Sequence, residues 1–288
     1  MPPTNVEHTS VIVNGVSLHV ASAGPADGPL LFLLHGFPEF WFEWRDYFAP
    51  LADAGFRVVA PDQRGYNLSS KPHGVAAYRL DLLADDIFAL ADTLGGKQFR
   101  VVGHDWGSAV AWWMATRHPE RIARLVVMDA PHPAVWMNAV REDPEQRRKS
   151  WYVQALRVPW LPEVLIRLGG YSGLAKALTS AARKDAFTPD ILAQYQAAWR
   201  QSGALTAMIN WYRAVAADDL VMPAPKSLPM PTLILWGDKD IYVGPKLAEA
   251  CAALCADARV VHFPQAGHWL PHDEREAVTV HLLQFLKT

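Results

Sequence analysis

The pentapeptide Gly103-His104-Asp105-Trp106-Gly107 sets a carboxylate between two glycines, directly after an apolar strand-like run and directly before a helical one. In a tight strand-to-helix turn the middle side chain is pushed out at the carboxyl edge of a sheet, and flanking glycines let the crowded backbone close. Serine is the usual middle residue, yet no serine here has glycine both two before and two after it, and no second Gly-x-Asp-x-Gly occurs. Asp105 could simply cap the helix that follows, as aspartate often does. Its place after a strand, with a suitable histidine far downstream, favours a nucleophile instead. A carboxylate nucleophile attacks a tetrahedral carbon bearing a leaving group and forms an alkyl ester, which water must then cleave. That chemistry suits an epoxide or an alkyl halide, not an ester substrate.

Such a turn needs a sheet to carry it. Thr9 to Val13 and Val16 to Ala23 flank Asn14-Gly15, a strong hairpin signal. The short apolar runs 30–34, 56–60, 99–103, 125–128, 232–236 and 259–263 read as strands, the first of them apolar throughout as in a parallel sheet covered on both faces. Helical patterns over Tyr78–Leu94, Ala109–His118 and Glu276–Lys287 lie between or after them, so a mostly parallel α/β sheet flanked by helices is expected. Between Pro133 and Pro231 the strand rhythm stops and Trp, Tyr, Ala, Leu and Gln recur at helical spacing. The expected organisation is therefore a first core part over 1–133, an all-helical insertion over 134–228 and a second core part over 229–288. Arg147-Arg148-Lys149 within the insertion reads as a solvated helix face.

The chain has 288 residues, 51% hydrophobic and 19% charged, with a formal net charge of −2. Disorder over most of the length and a basic nucleic-acid footprint are both argued against. Cys251 and Cys255 sit four apart and read as free thiols. The polar first ten residues offer no secretory leader, and no apolar run approaches membrane-spanning length, so a cytoplasmic protein without membrane contact is expected.

Four motifs in order, His35-Gly36-Phe37-Pro38-Glu39, Asp62-Gln63-Arg64-Gly65-Tyr66, Gly103-His104-Asp105-Trp106-Gly107 and Gly267-His268-Trp269, resemble those of the epoxide hydrolases of the α/β-hydrolase superfamily. The similarity runs over nearly the whole chain, and the helical insertion matches that family's cap. The resemblance implies the α/β-hydrolase fold, Asp105 as nucleophile and His268 as the base that activates water. Asp240, just past a strand end, matches the family's acid, while Asp129, where related dehalogenases place theirs, is its rival. The loop after Leu34 and the residue after the nucleophile would supply the oxyanion amides, Phe37 and Trp106.

Opening an epoxide yields an alkoxide, which leaves poorly unless a proton is donated; the family uses two cap tyrosines for this. Asn210-Trp211-Tyr212-Arg213 matches the second tyrosine motif, and Tyr152 occupies the place of the first, with Leu156-Arg157 departing from the Phe-Gln often found beside it. Haloalkane dehalogenases commonly have Asn in place of Phe37, and fluoroacetate dehalogenases Arg in place of Trp106. The expectation is an epoxide hydrolase acting on an apolar or aromatic epoxide, with His35, Trp41, Trp106, Trp136 and Trp269 as candidate walls. His35 would more simply brace its loop. A haloalkane or haloacid dehalogenase and a non-catalytic ligand-binding relative are the alternatives. No phosphate loop or metal-ligand cluster is visible, so no cofactor or metal is expected. Monomer and homodimer are both open. His272 and His281 read as surface groups.

Overall fold

In this computed structural model, residues 5–183, 185–215 and 227–287 are described. The strands are β1 (Glu7–Val13), β2 (Val16–Ala23), β3 (Leu30–Leu34), β4 (Arg57–Pro61), β5 (Phe99–His104), β6 (Ile122–Met128), β7 (Thr232–Gly237) and β8 (Ala258–Phe263). They form one sheet in the order β1-β2-β4-β3-β5-β6-β7-β8, with β1, β2 and β4 paired antiparallel and β4 to β8 parallel. Asn14 and Gly15 both take positive φ, 48° and 76°, which gives the turn the twist of the hairpin it closes.

The helices are α1 (Phe48–Asp53), α2 (Leu80–Thr93), α3 (Trp106–Arg117), α4 (Pro133–Glu142), α5 (Pro144–Lys149), α6 (Trp151–Arg157), α7 (Leu161–Leu168), α8 (Ser172–Ser180), α9 (Pro189–Trp199), α10 (Ala204–Val215), α11 (Lys246–Ala252), α12 (Leu270–Asp273) and α13 (Arg275–Lys287). Helix α3 begins immediately after Asp105, three residues before the start expected from sequence. Helices α4 to α10 all fall between β6 and β7, where the strand signal vanished; residues 216–226 of that stretch lie outside the described residues.

Leu30–Leu34 is buried throughout, and alternate residues of β3 feed opposite faces of the sheet: Phe32 and Leu34 one core, Leu31 and Leu33 the other. The strand order reverses between β4 and β5 around β3, and such a switch point opens a crevice at the carboxyl ends of the strands. The loops after β3 and β5 meet there. The loops after β6, β7 and β8 continue along the same edge.

Candidate active site

Asp105 holds φ 48° and ψ −119° at the start of α3. A non-glycine residue in such a conformation carries backbone strain of roughly 1–3 kcal/mol, which surrounding contacts must hold in place. Those contacts leave no room at the flanking glycines. A Cβ on Gly107 would lie 2.0 Å from the Leu34 carbonyl oxygen, one on Gly103 2.5 Å from Gly107 backbone, and one on Gly36 2.6 Å from the Asp105 Cβ.

The Phe37 backbone N–H donates to Asp105 Oδ1 at 2.8 Å, and His268 Nε2 lies 3.4 Å from Asp105 Oδ2. On its far side His268 Nδ1 donates to Asp240 Oδ2 at 2.8 Å, while Asp240 Oδ1 accepts from the Tyr242 and Val243 amides at 2.6 and 2.9 Å. Burial alone would lower the His268 pKa, but the Asp240 and Asp105 carboxylates overcome it and hold the imidazole well above its ordinary value. Burial pushes the Asp105 carboxyl the other way, up, yet His268 and the Phe37 amide keep it below its usual range.

Asp129 stands apart from this chain of contacts. Its backbone, at φ 48°, turns the carboxyl so that Oδ1 accepts from the Gly237 amide at 2.7 Å, and Oδ2 is buried without a partner. Burial and the nearby Asp240 charge push its pKa well above the ordinary carboxylate value.

Above the sheet edge, Tyr212 on α10 sits between Phe37 and Trp106, edge-on to both with ring centroids 5.0 and 5.1 Å away, and Tyr152 on α6 meets it at 6.0 Å. Trp211 anchors that turn of α10 by donating its indole N–H to the Arg64 carbonyl at 3.0 Å. Burial raises both phenols well above the ordinary tyrosine pKa, and the Asp105 carboxylate adds to the shift in each. Asp105, Tyr152 and Tyr212 border two cavities at once. A narrow apolar pocket of about 100 Å³ is walled by Trp106, Trp113, Trp136 and Met137. A wider one of about 860 Å³ adds Phe37, Leu156, Ile166, His268 and Trp269, with Arg148, Lys149 and Lys239 among its polar lining.

Two expected wall residues lie elsewhere. His35 is fully buried; its Nε2 accepts from the Gln63 amide and its carbonyl from the Gln63 side chain, at 3.0 and 2.7 Å, which bolts the loop after β3 to the Asp62–Tyr66 turn. Trp41 packs on His8 and Phe48 and borders a shallow surface hollow with His19 and Leu68, away from Asp105. An aromatic next to a motif can face either way, and the short helical turn at Trp41–Trp44 turns this one outward. The basic cluster also departs from a purely solvated face: Lys149 Nζ donates to the Asp240 carbonyl at 2.8 Å, and Arg148 borders the wide cavity.

A buried polar network beneath the site has no counterpart in the sequence reading. Glu39 accepts from Tyr195 and from His272 Nε2, the latter at 2.7 Å; His104 Nδ1 lies 2.8 Å from Glu43 Oε1; and His104 Nε2 donates to the His268 carbonyl at 2.8 Å. Glu43 Oε2 accepts from the Gly36 amide at 3.0 Å. Burial opposes charge here, but His272 and His104 draw Glu39 down to about 2, and Glu43 and Glu39 lift His104 to about 9. Glu39, Glu43 and His104 offer ligand atoms within 4.8 Å of one another; Glu43 Oε1 and Glu39 Oε1 lie 2.8 and 3.8 Å from His104 Nδ1, as ion pairs without hydrogen-bond geometry. His272 is thus a buried partner of Glu39, not a surface group, because α12 folds inward as a separate turn before α13; His281 is half-buried against Phe263. The position of His104, next to the elbow aspartate, was the available signal for this network.

The alpha/beta hydrolase fold family matches residues 29–275. The chain is 43% identical over 277 residues to an AB hydrolase superfamily protein, YfhM, of Bacillus subtilis, covering 96% of each. It is 32% identical to epoxide hydrolase 2 of Caenorhabditis elegans, covering 98% of this chain and 80% of that one. A solved structure of an epoxide hydrolase from hot-environment metagenomes superposes with a TM-score of 0.86 at 36% identity, covering 98% of both chains. With this fold, this elbow and this kinship, the chain belongs to the alpha/beta hydrolase fold family and, within it, groups with the epoxide hydrolases.

Proposed function

We propose that this protein converts an apolar or aromatic epoxide to a vicinal diol through a covalent ester on Asp105. Tyr152 and Tyr212 bind the ring oxygen from above while Asp105 Oδ2 attacks a ring carbon from below. The C–O bond of the ring breaks as the ester bond forms, and the alkoxide takes a proton from a tyrosine. Oδ1, already bonded to the Phe37 amide, becomes the ester carbonyl oxygen. His268, oriented by Asp240, then deprotonates a water that attacks the carbonyl carbon, with the Phe37 and Trp106 amides facing the oxyanion. The ester splits on the acyl side, so the new oxygen stays on Asp105 and the old one leaves with the diol, while the two protons of the water end, by way of His268 and the Asp105 carboxyl, on the departing oxygen and on the tyrosinate. Helices α4 to α10, over 134–228, act as the cap that brings the tyrosines to the sheet.

The observation that carries this reading is that both phenols border the same cavities as the Asp105 carboxylate. A halide needs no acid to leave, so a site built only for dehalogenation has no use for them. Incubation with styrene oxide and, separately, with 1-bromobutane tests it. Diol without bromide is expected, and bromide alone would transfer the site to dehalogenation. Neither product, with ligand binding intact, would make it a binding protein.

A further inference from the structure

Helix α5 (Pro144–Lys149) carries a buried side chain whose polar atoms are all engaged. Gln146 is 2% exposed; its Nε2 donates to the Tyr242 carbonyl at 2.9 Å and to the Ser150 hydroxyl at 3.0 Å, and its Oε1 accepts from the Gly244 amide at 2.9 Å. A carboxamide presents a donor and an acceptor side by side, and here it pairs with the backbone on either side of Val243 much as a neighbouring strand does. One helical turn on, Lys149 Nζ donates to the Asp240 carbonyl at 2.8 Å. Residues three apart share a face of a helix, so both side chains reach the same segment.

That segment aims the acid. Asp240 Oδ1 accepts from the Tyr242 and Val243 amides, and its Oδ2 faces His268 Nδ1. The peptide between Tyr242 and Val243 has its N–H on Asp240 and its C=O on Gln146. A peptide is planar, so a carbonyl held at one edge sets the direction of the N–H at the other. Gln146 thereby fixes a dipole that the carboxylate depends on. The Tyr242 ring, carried by the same peptide, lies edge-on to His268 and to Tyr152 with centroids 4.9 and 5.3 Å away. The Ser150 hydroxyl stands at the joint where α6, the helix of Tyr152, begins.

We infer that Gln146 and Lys149 are positioning residues for the ester-cleaving step, holding segment 240–244 from the helical insertion so that Asp240 meets His268. The inference rests on the ester route proposed above and adds the source of the acid's orientation. Attack on the epoxide needs Asp105 and the phenols, which the Lys149 contact does not touch; cleavage needs an imidazole held in line by Asp240. Loss of the grip should therefore fall on the second step.

Single-turnover kinetics with styrene oxide, followed by diol assay and intact-mass spectra, separate the two steps. Gln146→Met keeps the length of the side chain and loses its amide. It should slow ester cleavage by about 10–100-fold and ester formation by less than about threefold, so that ester accumulates and kcat and KM fall together. Lys149→Met leaves the Ser150 bond in place and should slow the same step by about 3–10-fold; Lys149→Arg, which keeps a donor, should recover most of that loss. In an Asp240→Asn background, Gln146→Met should add less than about twofold, because the acid through which it acts is already gone. Slower ester formation with cleavage spared, a lower Tm with both rates at the wild-type level, or the full loss repeated in the Asp240→Asn background would overturn the inference. If Gln146→Met does not fold, wild-type cleavage by Lys149→Met overturns it alone. A His268→Gln protein that traps no ester would overturn the ester route and this inference with it. Ester trapped there, with wild-type cleavage in both variants, would overturn this inference and leave the route standing.

Discussion

The two sides of the cleft are built on different terms. On the sheet side, charged atoms have directed backbone partners: the Phe37 amide for Asp105, the Tyr242 and Val243 amides for Asp240, and the Gly36 amide for Glu43. On the helical side, Tyr152 and Tyr212 are placed by ring packing against Phe37, Trp106, Tyr242 and each other. Backbone dipoles cannot rotate away, so they fix where charge develops and hold it through the reaction. Ring packing fixes a position and leaves a hydroxyl free to turn toward whatever oxygen arrives. The sheet side should therefore govern whether the reaction runs at all, and the helical side which molecule it runs on.

Substitutions on the sheet side should show the largest losses. Asp105→Ala should cut steady-state turnover by a factor on the order of 10⁵, read as diol formed from styrene oxide. His268→Gln should let the first step proceed and stop the second, so that intact-mass spectra gain the mass of the substrate. The sharpest comparison within that side is between its two acids. Asp240→Asn should cost about 10⁴ in kcat, as expected when an imidazole loses its orienting carboxylate. Asp129→Asn keeps the shape of a side chain bonded to the Gly237 amide and not to His268, and should change kcat by less than about tenfold, within the ordinary range of a structural change of about 1 kcal/mol. Equal losses would mean that Asp129 also serves the imidazole.

On the helical side, Tyr212→Phe should lower the rate of ester formation by about 10²-fold, seen in single-turnover measurements. Ester hydrolysis should be spared. Loss of the second step instead would place Tyr212 in the water-activating half of the site.

The smallest effect is on stability. Glu39 is held at about 2, below the ordinary carboxylate value, so the folded state binds its proton less readily than the unfolded chain. Its contribution is present above the unfolded value, near 4.5, and is lost as pH falls toward 2. Glu39→Gln should flatten the fall of Tm with pH over that window.

Much of this was legible because it is local. The strand, the two glycines and the helix around Asp105 lie in one continuous stretch, and Asn14-Gly15 states its own turn. The choice of Asp240 over Asp129 came from the resemblance and not from spacing: both follow neighbouring strands, and it is the structure that sets Asp240 on His268 and gives the Asp129 carboxyl to the Gly237 amide. The network of Glu39, Glu43, His104, Tyr195 and His272 joins side chains from four distant segments, so no spacing announces it. Trp41 misled because composition says that an aromatic is near a motif, not which side of the backbone it takes.

The imidazole of His268 sits between two anions, and that arrangement times the proposed reaction. While both carboxylates are charged, they favour the protonated ring and oppose its drawing a proton from water. Once the incoming carbon has neutralised Asp105, one of the two attractions is gone and the ring's hold on the proton slackens. On the proposed mechanism the base then comes into service after there is an ester for it to cleave, and an idle enzyme would carry no primed hydroxide to squander.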